Sequence, residues 1–356
     1  MHLLEKIEQN DPFSLIKKDK DELFLSALKE LHQLHLDSCS DFKKIASIIS
    51  KNKTIYLEDF PFLPVRLFKD FELISVDRNN IKKIMTSSGT TGTMPSKIFL
   101  DSDTASRQTK VLTKILNTYI GNKRLPMLII DSKSVLKNRN NFSARGAGIL
   151  GFSMFGFDIH YALDDEMNID IPTIQEFLNK YNGNNILVFG FTFIVWEYFI
   201  NILQSENIKL NLKNSILIHG GGWKKLIDKA VDNITFKDTI TEWSGIKRIY
   251  NYYGLVEQTG SIYMECEYGH LHTSIYSDII FRRHQDFTVC NIGEEGIIQL
   301  ISLLPLSYPG HSILTEDLGV LIGIDTCSCG RKGKYFKING RIKNAEVRGC
   351  SDTLQK

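Results

Sequence analysis

Apolar positions along the chain recur first at helical spacing and then at strand spacing. In FLSALKELHQLHLDS, Leu25, Leu28, Leu31, Leu34 and Leu36 fall at broadly helical intervals, which predicts amphipathic helices up to about Phe60 acting as a packing layer. Residues 81–85 and 97–100 are short apolar runs that predict two strands with a loop held between them. The stretch DSDTASRQTKVLTKILNTYI opens on cap candidates from Asp101 to Thr104. It then sets Val111, Leu112, Ile115, Leu116 and Tyr119 along one face, the pattern of a helix lying on a sheet.

Further on, apolar runs at 126–130, 186–189, 215–218 and 249–253 are bounded by turn residues and separated by helical patterns such as 173–181. Strands alternating with helices predict an α/β fold whose ligands gather beyond the strand C-termini. From Leu271 the pattern turns β-rich, with strands expected at 273–281, 295–303 and 318–324. The expected organisation is a helical layer over 1–60, an α/β core over 61–270 and a β-rich part over 271–356.

Composition restricts the class of function. With 356 residues, 42% hydrophobic and 24% charged, the chain can bury a sizeable core. Its 43 basic and 41 acidic residues leave a formal charge of +2 with no long single-sign block, which disfavours nucleic acid or an anionic membrane as partner. The start, MHLLEKIEQNDPFSLIKKDK, is acidic and polar where a signal peptide needs an apolar core. No stretch nears the roughly 20 apolar residues of a spanning helix, and a cytoplasmic protein is expected. Six cysteines in that setting do not predict a disulfide framework, and Cys39 and Cys290 read as core residues.

Five motifs carry candidate chemistry. MTSSGTTGTMPSK, residues 85–97, joins the two short strands. Gly89 and Gly92 permit the backbone turns that point successive N–H groups inward, Ser87, Ser88, Thr90, Thr91 and Thr93 add hydroxyls, and Lys97 adds a cation. This is the composition of a phosphate cradle, without the G-x-x-x-x-G-K-[ST] spacing of a P-loop NTPase. SILIHGGGWKK ends a strand in Gly220, Gly221 and Gly222, where a flat ring or a phosphate can approach backbone. IYNYYGLVEQTG delivers Tyr253 as an aromatic face and Glu257 as a carboxylate suited to Mg²⁺. SILTEDLGVLIG and KINGRIKNAEVRGC supply Asp317 and Arg341, an acceptor for ribose hydroxyls and a donor to ribose or phosphate.

Taken in order, a hydroxyl-rich glycine loop, a glycine turn, Y-G-x-x-E, an E-D-L-G turn and a late G-R resemble the adenylate-forming superfamily of acyl-CoA synthetases, aryl ligases and luciferases, from about Phe60 onward. The resemblance implies the N-terminal-domain fold of those enzymes, with mixed sheets flanked by helices and a smaller β-rich part. It implies that Ser87, Ser88, Gly89, Thr90, Thr91 and Gly92 cradle the phosphates of ATP with Lys97 beside them. Gly220, Gly221, Gly222 and Tyr253 would frame adenine, Glu257 would hold Mg²⁺, and Asp317 and Arg341 would bind ribose. The implied reaction is attack of a carboxylate on the α-phosphate, giving acyl-AMP and pyrophosphate. Val256 stands where the superfamily usually has threonine, and Ser96 intervenes between Pro95 and Lys97.

Most members continue into a mobile second domain that contributes a catalytic lysine, whereas this sequence stops at Lys356. In that respect the chain is similar to the acyl-protein synthetases of bacterial bioluminescence, as it is in FPFLPVRLFK, SSGTTG, HGGGWK, YYGLVEQTGSIYMEC, LPLSYPGHSILTEDLG and EVRGCSD. That branch implies activation of a fatty acid, its transfer to Cys350 as a thioester and delivery to an acyl reductase partner. Arg348 and Lys343 would favour the thiolate. Two other readings stay open: an acyl- or aryl-CoA ligase in which Cys350 is incidental, and an idle nucleotide-binding partner subunit.

ECEYGHLH and CSCGRKG bring Cys266, His270, His272, Cys327 and Cys329, enough soft ligands for a tetrahedral structural Zn²⁺, and phenylacetate-type ligases look similar here. Buried thiols beside a satisfied histidine are the alternative. The acid is expected near GAGILGFSMFGF and FGFTFIVWEYF, which would otherwise be plain core.

Overall fold

The computed structural model describes residues 6–49, 56–87, 94–136, 144–223 and 228–342. Its strands are β1 (Leu63–Pro64), β2 (Lys83–Thr86), β3 (Lys97–Leu100), β4 (Leu125–Ser132), β5 (Gly156–Leu163), β6 (Leu187–Phe191), β7 (Ile216–Gly220), β8 (Arg248–Tyr253), β9 (Tyr263–Glu265), β10 (Leu271–His272), β11 (Ser277–Arg282), β12 (Glu295–Ser302), β13 (Ser312–Ile324) and β14 (Lys334–Arg341). Two compact units share them. The first takes its described residues from 6–87, 94–118 and 254–342, and the second from 119–253. Residues 6–49 and 271–342 fall in the first of these units. Apolar patterning reports local period and says nothing of which distant segments share a core.

In the first unit, β11, β12, β13, β14, β10 and β9 follow one another as antiparallel neighbours, and the short β1 lies parallel to β13. The expected hairpin forms as β2 paired antiparallel with β3. Helix α1 (Lys17–Ser38) buries Phe24, Ala27, Leu28 and Leu31, a stripe at helical spacing. Leu25, Leu34 and Leu36 of the expected face are only half buried, and Lys20 and His35 are buried in their place. Cys39 and, in α2 (Ser40–Ile49), Phe42 and Ala46 join Leu63, Phe68, Ile98, Leu100, Tyr308 and Ile313 in one apolar cluster. Helix α3 (Ser102–Ile120) starts where its sequence signal places it, with Asp101 Oδ1 accepting the Thr104 N–H at 2.8 Å.

In the second unit the strand order is β8, β7, β6, β4, β5, all parallel. β6 and β7 are buried at every residue, as strands covered on both faces must be, and their apolar runs are what made them legible in the sequence. The connecting helices include α4 (Ala144–Ser153) and α5 (Ile171–Lys180). Helix α5 is capped by Asp170 and has Pro172 in its first turn. Helix α6 begins at Thr192–Ile194 and passes into a π-helical turn at Val195–Ile200. Helix α7 (Asn233–Ser244) ends on Gly245 at φ 80°, a left-handed C-cap that glycine adopts without strain. Arg145 makes a buried two-pronged ion pair with Asp131 at the end of β4.

Three histidines of the first unit meet in its interior. His35 Nε2 donates to the Pro305 carbonyl at 3.1 Å, so its Nδ1, 2.7 Å from Ser75 Oγ, is an acceptor and the ring is neutral. His311 stacks on His35 with centroids 4.9 Å apart, and its Nε2 lies 2.9 Å from His32 Nδ1. Burial pushes His35 down to about 3 and His311 well below the ordinary range. Groups whose folded pKa is depressed bind fewer protons folded than unfolded, so their contribution is present above about pH 6.5 and is lost as the pH falls below it. The unfolding free energy from urea titration is expected to drop from pH 7.5 to pH 4.5, by up to about 1.4 kcal/mol per pH unit for each histidine. His35→Gln is expected to flatten that slope.

Candidate active site

The hairpin of the first unit is closed at its open end by serine. Ser96 N–H donates to Ser87 Oγ at 2.9 Å, and Ser87 N–H donates to the Ser96 carbonyl at 3.1 Å. Ser96, the residue that separates Pro95 from Lys97, is thus part of the loop's base. Ser88, Gly89, Thr90, Thr91 and Gly92 lie outside the described residues, as does Cys350. Lys97 opens β3, half exposed, with its ammonium 3.5 Å from Glu72, a carboxylate that also takes Arg78 at 2.9 Å.

Glu257 is buried within a single 3₁₀ turn, Val256–Gln258. Its carbonyl accepts the Tyr308 hydroxyl at 3.0 Å, and Gln258 Nε2 donates to the Gly310 and Leu300 carbonyls at 2.8 and 3.1 Å. Val256 packs on the apolar cluster of Ile98, Leu100 and Tyr308, which accounts for an apolar residue at this position. Asp317 and Arg341 are direct partners across β13 and β14. Arg341 Nε lies 3.1 Å from Asp317 Oδ1, and Arg341 Nη2 donates to Glu316 at 2.9 Å. The first unit therefore holds Ser87, Lys97, Glu257, Asp317 and Arg341, and it brings the last two into contact.

Gly220, Gly221, Gly222 and Tyr253 belong to the second unit. Gly220 ends β7, and Gly221 and Gly222 follow at φ 85° and 65°, where side chains with a Cβ are strained. A Cβ on Gly220 would stand 2.5 Å from the ring of Tyr252, and one on Gly221 would stand 2.9 Å from Phe191. The ring against Gly220 is thus Tyr252, the neighbour of the residue expected from the motif, and the ring against Gly221 is Phe191. Which of two adjacent tyrosines faces the turn depends on strand register, and YY alone does not specify it. His219, just before the glycines, is buried and neutral, pushed down to about 3 by burial, with Nδ1 3.0 Å from Thr192 Oγ1 and Nε2 unpartnered.

The two apolar stretches expected near the acid come together in this unit. Phe152 stacks on Phe189 at 4.2 Å and lies 5.1 Å from Tyr252, and Gly148 leaves its Cβ space to Phe191. The result is an aromatic layer beside the glycine turn.

The cysteine and histidine residues also converge. Ligand atoms of Cys266, His272, Cys327 and Cys329 all lie within 4.8 Å of one another. Cys266 and Cys327 sulfurs are 3.9 Å apart, and Cys329 Sγ is 3.4 Å from His272 Nε2. A tetrahedral zinc with bonds of about 2.3 Å to sulfur has ligand edges of roughly 3.8 Å, so the donor set fits that ion. His270 falls outside the mutual set, although its Nδ1 is 3.5 Å from Cys327 Sγ. Burial pushes Cys266 up to about 12 and His272 down to about 4. Cys39 and Cys290 are buried core residues, as expected.

Solved structures that share this fold include 2-hydroxyisobutyryl-CoA ligase in the postadenylation state with R3-HIB-AMP, at a TM-score of 0.71 and 13% identity over 94% of this chain and 70% of that one. The same ligase in an open conformation with 2-HIB-AMP and CoA gives 0.70 and 14%, over 94% and 77%. The fold is that of the adenylate-forming enzymes. The family model described as acyl-protein synthetase, LuxE, matches residues 2–356, and the chain belongs to that family. A relative is the long-chain-fatty-acid–luciferin-component ligase of Vibrio harveyi, 20% identical over an alignment of 349 residues that covers 95% of this chain and 89% of that protein.

Gly220→Ala places a methyl group against the Tyr252 ring and is expected to cost about 1–3 kcal/mol by overpacking. Thermal denaturation of Gly220→Ala with Tyr252→Ala is expected to recover part of that loss.

Proposed function

We propose that the protein is an ATP-dependent acyl-protein synthetase that activates a carboxylic acid, with a long-chain fatty acid the first candidate, and passes the acyl group to Cys350 for delivery to an acyl reductase. Membership of the LuxE family supports the class. The observation that carries the nucleotide reading is the contact between Asp317 and Arg341 in the unit that also holds Glu257 and Lys97. It sets an acceptor for ribose hydroxyls against a guanidinium suited to ribose or phosphate.

In this reading a substrate carboxylate oxygen attacks the α-phosphorus of ATP, and the bond to pyrophosphate breaks. Lys97 and the loop N–H groups stabilise the charge developing on the phosphates. Mg²⁺, for which the Glu257 carboxylate is a fitting hard ligand, would supply further neutralisation there. The Cys350 thiolate then attacks the acyl carbonyl, AMP leaves and a thioester remains. The aromatic layer of Phe152, Phe189 and Tyr252 supports an apolar acyl group.

The first test is the intact mass of the protein after incubation with Mg-ATP and a panel of carboxylic acids, read with and without neutral hydroxylamine. An acid-dependent, hydroxylamine-labile gain is expected, lost in Cys350→Ser while pyrophosphate release persists. Glu257→Gln and Asp317→Ala are each expected to lower pyrophosphate release by at least about tenfold, the effect of one lost charge-assisted contact. Acyl-CoA formed at an undiminished rate by Cys350→Ser would instead make the protein a CoA ligase.

Cys266, His272, Cys327 and Cys329 are read as a structural Zn²⁺ site that ties β9 and β10 to the turn before β14. Elemental analysis of protein purified without chelator is expected to give one zinc per chain. Cys327→Ser is expected to lose the metal and melt at lower temperature, and a zinc-free wild type of undiminished stability would reject the site.

A further inference from the structure

The connection between β12 and β13, residues 303–311, is buried along its whole length, although loops normally run over the surface because their backbone needs hydrogen-bond partners. Here the partners are supplied from four directions. Pro305 O accepts from His35 Nε2, Ser307 O accepts from Ser75 N–H at 2.8 Å, and Ser307 N–H donates to Thr104 Oγ1 at 3.0 Å. Ser307 Oγ donates to the Phe99 carbonyl at 2.7 Å, two residues beyond Lys97 in β3.

The other end of the connection grips the Glu257 turn. Gly310 N–H donates back to Tyr308 O at 2.8 Å across Pro309, a three-residue turn for which proline's fixed φ is suited. That turn aims the Tyr308 hydroxyl at the Glu257 carbonyl, 3.0 Å away, and offers the Gly310 carbonyl to Gln258. Gln108 Nε2 lies 3.5 Å from the same hydroxyl. The approach is too close for a side chain: a Cβ on Gly310 would stand 2.3 Å from the Tyr308 ring and 2.7 Å from the Glu257 carbonyl.

We propose that this buried turn, and Tyr308 above all, positions the Glu257 carboxylate relative to β3 and Lys97. The Tyr308 hydroxyl bonds to the Glu257 main chain, so it acts through that backbone as a positioning residue. One end of the turn is fixed to the strand that carries Lys97 and the other to the carbonyl of Glu257, so a shift of either is resisted by the other. The inference rests on the reading of Glu257 as the Mg²⁺ ligand.

The test compares Tyr308→Phe with Tyr263→Phe, which removes a similar buried bond, from the Tyr263 hydroxyl to the Asp278 carbonyl, away from the site. Both are expected to melt below wild type. Only Tyr308→Phe is expected to raise the Mg²⁺ concentration for half-maximal pyrophosphate release, by about fivefold to tenfold, the range for one hydrogen bond. Gly310→Ala is expected to raise it further. Wild-type Mg²⁺ dependence in Tyr308→Phe would overturn the inference while leaving the adenylation reading intact. A wild type that releases no pyrophosphate with any acid would overturn the adenylation reading. Mn²⁺ binding to wild type and Tyr308→Phe with a non-hydrolysable ATP analogue, followed by electron paramagnetic resonance, then decides the inference separately: weaker binding in the variant upholds it, and equal binding or no binding by wild type overturns it.

Discussion

The first unit depends on one buried carboxylate. Asp278, in β11, lies 2.8 Å from the ammonium of Lys20 in α1 and 2.8 Å from that of Lys334 in β14. Burial works against ionisation of Asp278, but the two ammonium groups outweigh it and hold the carboxyl well below the usual range. Each lysine spends a further proton on a carbonyl, Lys20 on Ser277 and Lys334 on Ile279. A buried pair of this kind adds little net stability over an apolar replacement, yet it penalises every arrangement that leaves a charge unpaired. It thereby ties α1 to the sheet and opposes sliding of β14.

That register decides the candidate nucleotide site. With Lys334 held at one end of β14, Arg341 at the other falls opposite Asp317 on β13. A slip of one residue would turn Arg341 to the other face of the sheet. The same economy appears at Glu257, whose turn is held by Tyr308 and Gln258 instead of by contacts of its own side chain alone. The second unit works differently. Its central strands β6 and β7 are buried at every residue, and its contribution is space: glycines at 148, 220 and 221 leave room that Phe191 and Tyr252 occupy.

Much of this was legible along the chain. The hairpin at 83–100, helix α3 with its Asp101 cap and the four parallel strands expected from apolar runs all appear near their expected bounds. They are local features, set by period, caps and turn residues. The motif residues Glu257, Asp317 and Arg341 were found as letters in order, and Cys266, His272, Cys327 and Cys329 as soft ligands in two clusters.

What the amino-acid sequence determined by itself, then, is the type of each element and the chemistry available at each motif, because both depend on neighbours a few residues away. Tertiary structure alone decided which elements share a unit, that Lys20 and His35 are buried where Leu34 and Leu36 were expected, and that Tyr252 packs against Gly220. It alone excluded His270 from the cluster of four and made Tyr308 the partner of Glu257. Each of these outcomes depends on strand register or on pairing across more than 50 positions, as between Glu257 and Tyr308. No local pattern carries that information, because burial reverses the ordinary preference of a charged or polar residue only when its partner arrives from elsewhere in the chain.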